Sequence, residues 1–511
     1  MSKVAKTTVL IMVLTIFSKV LGLVREQVLA LSYGTGMYAD VYVTAMKIPT
    51  ILFTALGASI ATSLIPVYSK VREEKGLDKS QKFLSNLINI VSIIALVMVV
   101  FGMIFTEPLV KVFAFGFEGE KLAITINFVR IILWAVIFIG LNNIITSYLQ
   151  LNNNFKIPAL TGIPYNIIVI ISIIISIKTN VYVLIIGSLL ALASQVLFQI
   201  PAVKKTGLKH SFKVDLKDED VRYLIILVIP VLIGGGVEQI NTLIDGSLAS
   251  TFGDGVVSAF NYANKLYGFV SAIFVVSILS VVYPMMAKSL ASEDEASFKL
   301  SIKKTMNIII IFIIPICVGT MVLAQPIVRV LFERGKFNYS DTIMTANILI
   351  VYIIGILAFS LRNLVSKAFY SLHDTKTPMI TGSIAIVFNI VLNFILSKYM
   401  GYIGLAIATT ISAFIGLIIS LICLRKKIGG FGMKNILITL IKSTVAACVM
   451  GVFTYISYNK LQVIFGAVLM HDVISLGGAI FVGVCIYSIA ILLLKVDELD
   501  IVLGIVKKRL K

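Results

Sequence analysis

The chain has 511 residues, 59% of them hydrophobic and 14% charged, and its 44 Lys and Arg against 25 Asp and Glu give a formal net charge of +19. Apolar runs of membrane-crossing length recur from end to end, which excludes a soluble multidomain protein and leaves no room for a soluble domain. The basic excess lies in short loops of mixed sign, so nothing supports nucleic-acid binding. The four cysteines (Cys317, Cys423, Cys448, Cys485) lack the spacing of a metal site or a disulfide framework and read as packing residues.

In chain order, fourteen predicted membrane helices run at about 7–32, 38–69, 83–105, 123–150, 158–177, 181–203, 222–250, 256–287, 301–323, 343–371, 377–397, 401–424, 435–458 and 473–494. Lys3 and Lys6 precede the first, but no small-residue cleavage site follows, so that helix is expected to be retained. Connecting segments on the N-terminal side of the membrane, such as VREEKGLDKSQK and KKTGLKHSFKVDLKDEDVR, hold far more Lys and Arg than those on the other side. That asymmetry places both termini in the cytoplasm. The basic stretch from Lys204 to Arg222 is read as an amphipathic surface helix.

An internal repeat organises the chain. NNNFKIPALTG (Asn152 to Gly162) returns as LHDTKTPMITG (Leu372 to Gly382), and EPLVKVF (Glu107 to Phe113) as QPIVRVL (Gln325 to Leu331). YGTG (Tyr33 to Gly36) returns as FGDG (Phe252 to Gly255), and Pro66 with Lys70 as Pro284 with Lys288. The expected fold is an all-α polytopic membrane protein of about fourteen helices, with two parallel six-helix repeats forming two lobes and two C-terminal helices appended. The domains are an N-terminal lobe at 1–205, a cytoplasmic basic linker at 206–221, a C-terminal lobe at 222–430, and helices 13 and 14 with a tail at 431–511. Six helices per copy relate the copies by an axis along the membrane normal. A cavity between the lobes is then the natural substrate site, and rocking of the lobes the natural motion.

A charge at a helix centre costs about 2.5–3.5 kcal/mol on insertion scales, so such residues are kept where they face protein or water. In the first helix Ser18, Lys19, Gly22, Arg25 and Glu26 fall within an arc of roughly 120° at 3.6 residues per turn. Asp40 and Lys47 in the second helix, Glu238, Asn241, Thr242 and Asp245 in the seventh, Asn261, Asn264 and Lys265 in the eighth, and Arg362, Asn363 and Lys367 in the tenth form further polar stripes. In repeat register Lys47 matches Lys265, whereas Lys19 matches Glu238, Arg25 matches Ile244 and Glu26 matches Asp245. The first copy is cationic there and the second acidic.

Lys19, Arg25, Lys47, Lys265 and Arg362 are therefore taken as an anion-binding set whose donors suit phosphate oxygens, with Glu26, Asp40 and Glu238 as charged partners. The plainer reading has these charges pair internally, Lys19 or Arg25 with Glu26 and Lys47 with Asp40, and lock helices together. Lys367 is read as snorkelling to the interface. Asn389 and Asn393, four apart on the eleventh helix, have with Asp245 the oxygens for a small cation such as Na⁺; hydrogen bonds between helices are the plainer account. The three histidines are too scattered for catalysis or metal binding, no catalytic residue is assigned, and no cofactor is expected apart from a coupling ion.

SKVLGLVRE followed by YGTGMYADVYVTAMKIP resembles the N-terminal signature of the MurJ (MviN) lipid II flippase family, which belongs to the MOP superfamily with the MATE drug transporters. FNYANKLYGFVSAIFVVSILSVVYP and FYSLHDTKTP are similar to the same family. The resemblance implies a monomeric transporter that moves lipid II, the undecaprenyl-pyrophosphate precursor of peptidoglycan, to the outer leaflet of the bacterial cytoplasmic membrane. It also implies a central cationic cavity, alternating access, and a groove for the lipid tail near helices 13 and 14. Lys19, Arg25, Asp40 and Lys265 match positions that are charged and important in the family. Lys19 and Lys265 stand where arginine is common, and Phe53 and Thr54 replace an arginine pair, for which Lys47 is the local substitute. The alternatives are export of another lipid-linked oligosaccharide or of drugs, and a polyprenyl-phosphate enzyme. A drug pump wants an acidic or aromatic cavity, and the enzyme wants clustered acids or histidines that the chain does not offer.

Overall fold

A segment lying in lipid has to satisfy its backbone hydrogen bonds within itself, which makes the helix the default for apolar runs of this length. The computed structural model describes residues 3–292, 294–465 and 469–495. These fold as seventeen α-helices with one 3₁₀ turn, and no strand occurs among the described residues. They are α1 (Lys3–Tyr33), α2 (Met37–Ile104), α3 (Thr106–Phe113), α4 (Gly119–Ile132), α5 (Ala135–Leu151), α6 (Lys156–Leu160), α7 (Gly162–Lys178), α8 (Tyr182–Lys205) and α9 (Glu219–Ala249). After the turn at Ser250–Phe252 come α10 (Val256–Ala291), α11 (Glu295–Val322), α12 (Ala324–Phe332), α13 (Tyr339–Ser371), α14 (Lys376–Met400), α15 (Tyr402–Ile428), α16 (Met433–Phe465) and α17 (Leu469–Leu493).

Among the described residues nine helices are long and apolar enough to cross a membrane, or ten if α4 and α5, bent by 41° at their junction, form one span. The count of fourteen is not confirmed by these nine or ten, which take α2 as one helix although two of the expected spans lie in it and do not include α1, α9 and α10. The second and third predicted helices are continuous in α2, broken only at Gly76, whose φ of 81° suits a residue without a side chain. VREEKGLDKSQK is therefore largely helical rather than a loop, as its Lys and Glu content favours.

The internal repeat leaves matched features in the backbone. Asn153 and His373, 220 residues apart, both take the left-handed conformation (φ 59° and 58°) just after α5 and α13. Asn154 N–H donates to Leu149 O at 2.8 Å, and Asp374 N–H donates to Phe369 O at 2.9 Å. The short α3 and α12, each following a helix break at Phe105 or Leu323, are a second matched pair.

The chain divides into two compact units, one of residues up to Ser258 with Arg334–Phe337, the other of Ala259–Glu333 with the residues from Asn338 onward. In the first, Phe53, Leu64, Tyr68, Phe83 and Leu84 of α2 pack with Tyr148 of α5 and with Val221 and Leu224 of α9. In the second, α11 and α13 share a core with α16 and α17, where Tyr487 donates to Ile311 O at 2.7 Å.

The stretch from Lys204 to Arg222 is not the amphipathic helix expected of it. Helix α8 ends at Lys205, Gly207 takes φ 75°, and no helix resumes before Glu219. Side chains of α2 supply the hydrogen bonds that a helix would have made internally: Asn86 exchanges two bonds with the backbone of Asp215 (2.8 Å each), and Asn89 donates to Ser211 O (2.7 Å) and Lys213 O (3.1 Å).

Candidate functional site

The polar stripe of α1 faces α7. Spacing of three and four residues stacks Ser18, Gly22 and Arg25 on one side, and glycine at 162 makes the approach possible, since a Cβ there would stand 2.0 Å from Ser18 Oγ. Arg25 Nη2 donates to Glu26 Oε1 at 2.6 Å and Nη1 to Asn166 Oδ1 at 3.2 Å, with the guanidinium 5.2 Å from the Tyr165 ring centroid. Asn166 donates in turn to Gly162 O (2.7 Å) and Ser18 O (3.4 Å). Glu26 is only 4% exposed, so this is a buried pair whose geometry is fixed from a second helix. Lys19 stands apart, exposed and without an ion pair among the described residues. Of the two internal partners considered for Glu26, the structure selects Arg25.

Asp40 does not pair with Lys47. Its carboxylate is fully buried and accepts from Lys121 Nζ (2.8 Å) and from the backbone N–H groups of Gly255 (2.8 Å) and Ser258 (2.8 Å). Lys121 bridges onward to Asp254 at 2.7 Å. The short side chain of Asp40 thus caps the start of α10, where unpaired N–H groups and the helix dipole favour an anion. Lys47 points instead to α9, its Nζ 3.9 Å from where a Cβ on Gly246 would lie, next to Asp245; Asn241 donates to Asp245 at 3.3 Å. The side chain of Glu238 lies outside those described.

In the second unit, Lys265 and its neighbour Asn264 are exposed on α10. Arg362 of α13 lies against two glycines, with Cβ positions on Gly416 of α15 and Gly382 of α14 falling 3.1 and 3.8 Å from its guanidinium nitrogens. A larger residue at 416 would displace it. Lys367 sits 5.0 Å from the ring centroid of Tyr283. Asn393 donates to Asn389 at 3.0 Å and Asn389 to Thr409 of α15 at 3.3 Å, so these amides join α14 to α15. Asp245 belongs to the other unit. No cluster of three or more His, Cys, Asp or Glu suited to a metal ion occurs among the described residues.

Tyr165, Asn166, Lys121 and Asp254 were not singled out by sequence. Asn166 carried a signal, as the one amide in the largely apolar run GIPYNIIVIISIIISIK. Lys121 carried none, because it lies 81 residues from Asp40 in a different helix.

A repeated all-helical architecture with charges set into helix contacts defines a multi-pass membrane protein of the kind that includes transporters. The chain has the fold of a solved inward-facing multidrug resistance MATE transporter of the MOP superfamily, with a TM-score of 0.68 over 81% of this chain and 96% of the other at 15% identity, a likeness of fold alone. The family model described as lipid II flippase MurJ matches residues 29–487, and the chain belongs to that family. It is 30% identical over 434 residues to the probable lipid II flippase MurJ of Vibrio cholerae serotype O1, covering 81% of this chain and 82% of the relative. A solved lipid II flippase MurJ in an inward closed conformation superposes with a TM-score of 0.80 at 29% identity, covering 94% and 98% of the two chains.

Proposed function

We propose that this chain carries lipid II from the inner to the outer leaflet of the bacterial cytoplasmic membrane, as a transporter and not as an enzyme. The observation that carries this reading is membership of the MurJ family over residues 29–487. The charges support it chemically. A pyrophosphate head group needs cations, and each repeat supplies them: Lys19, Arg25 and Lys47 in the first, Lys265 and Arg362 in the second. Arg25 offers five N–H donors in a planar fork and spends two of its nitrogens on Glu26 and Asn166, which pre-orient it. Lys19 is an exposed point charge with no ion pair among the described residues, suited to a ligand that arrives and leaves, and Lys265 is exposed on α10.

In this reading both termini are cytoplasmic, the protein acts as a monomer by alternating access, and Na⁺ is the coupling ion to test first. The decisive experiment depletes the protein from cells and measures leaflet accessibility of lipid II, with a pyrophosphate-lacking analogue as control. Lipid II should accumulate inside and return to the outer leaflet on re-expression. Lys19→Ala and Lys265→Ala should insert normally and fail to restore it; normal restoration by both would overturn the anion-binding assignment.

A further inference from the structure

Residues 207–217 form an extended strap whose depth along α2 can be read from its hydrogen bonds. Gln81 Nε2 donates to Gly207 O (3.3 Å) and Ser85 Oγ to Lys209 O (3.4 Å), while Asn89 holds Ser211 O and Lys213 O; Asn86 then takes Asp215, and Lys75 pairs with Asp220 at 2.7 Å. The strap therefore descends α2 from residue 81 to residue 89, about 12 Å at 1.5 Å per residue, and climbs back. Phe212 is at the lowest point, between the two carbonyls that Asn89 holds. One to two turns further along α2, Ile93, Ile94, Leu96 and Val97 are exposed on a helix apolar enough to cross the membrane. The tip thus reaches the level at which α2 enters lipid.

The chemistry of the strap fits that level. Phe212 is 87% exposed and Leu216 65%, an arrangement costly in water and favourable where an aromatic ring meets acyl chains. Three acids of the segment are turned to structural work: Asp215 accepts from Lys217 N–H, Asp218 caps α9 through Asp220 N–H and Val221 N–H, and Asp220 pairs with Lys75, while Glu219 is exposed at the start of α9. Lys204, Lys205, Lys209, Lys213 and Lys217 are all exposed and form no ion pair among the described residues. What faces outward is an apolar tip among five cations against one exposed acid, a net positive face complementary to an anionic lipid surface.

We propose that this strap is a lipid-docking site, which inserts Phe212 into the headgroup layer and holds anionic phospholipid with its lysines. Because the Asn86 and Asn89 ladder fixes the backbone beforehand, binding orders little more than side chains. The chain has a single tryptophan, Trp134, so Trp134→Phe with Phe212→Trp places one fluorophore at the tip of the full-length protein. In nanodiscs, its emission should be blue-shifted and quenched by lipids brominated on the acyl chain. Quenching should be about twofold stronger with phosphatidylglycerol present than in phosphatidylcholine alone. Changing Lys209, Lys213 and Lys217 to Gln should remove that difference, and Asn89→Ala, which releases the tip, should weaken quenching in both bilayers. Water-like emission without quenching in either bilayer would overturn the proposal and leave the strap as a protein-docking face. Equal quenching in both would overturn its anionic selectivity.

Discussion

Arg25 has two tasks that a single substitution would confuse. It neutralises Glu26, and in the function proposed above it also meets the substrate's anionic head group. Removing it leaves a buried carboxylate without its partner, which costs about 3–5 kcal/mol in comparable pairs. Arg25→Ala should therefore lower the melting temperature in detergent and abolish flipping together. Adding Glu26→Gln removes the stranded charge and should restore stability. If the guanidinium binds pyrophosphate, lipid II accessibility in the outer leaflet stays low in the double variant; recovery of both would make Arg25 a structural residue only. Asn166→Ala separates the tasks from the other side, since it leaves the ion pair and frees its orientation.

At the scale of elements, two carboxylates act as joints. Asp40 ties α2 to α4 through Lys121 and to the start of α10 through two N–H groups. Asp40→Asn keeps the size and loses the charge, and should cost about 2–4 kcal/mol in thermal unfolding, of the order measured for buried hydrogen-bonded pairs. Asp374, in the turn before α14, accepts from Thr377 N–H and Thr377 Oγ1 and pairs with Lys427 at the end of α15. The hydrogen bond from Lys427, with that of Thr377 N–H, holds its carboxyl down at about 2. A carboxyl depressed on folding stabilises the protein above its unfolded value of about 4 and loses that contribution as pH falls through the folded value. Asp374→Asn should thus be less stable than the parent at pH 7, with the gap closing between about pH 4 and pH 2 in an unfolding series; a gap independent of pH would remove the ion pair from the account.

Over the whole molecule, what could be read from the chain was what depends on local order. Apolar runs of crossing length gave the helices, and matched segments 218–220 residues apart gave the repeat, because each leaves a linear trace. The projection of Ser18, Gly22 and Arg25 onto one face was legible for the same reason, but not that α7 covers it, since Gly162 and Asn166 lie about 140 residues away in sequence. The pairing of Asp40 with Lys121 and the strap on α2 were hidden more deeply. Charge and periodicity suggested a helix for Lys204 to Arg222, and only tertiary hydrogen bonds from Asn86 and Asn89 make the extended course the better one.

The twin left-handed residues Asn153 and His373 offer a thermodynamic gauge of the duplication. A left-handed backbone costs a residue with a side chain about 1–2 kcal/mol, less for asparagine. Glycine at 373 should therefore stabilise by up to about 1 kcal/mol, and at 153 by less. Substitutions at distant, independent sites add, and coupled ones do not. The double variant should therefore gain the sum of the two single effects in thermal unfolding, each copy of the turn being relieved of its own local cost; a clear departure from the sum would show that the two turns are energetically coupled.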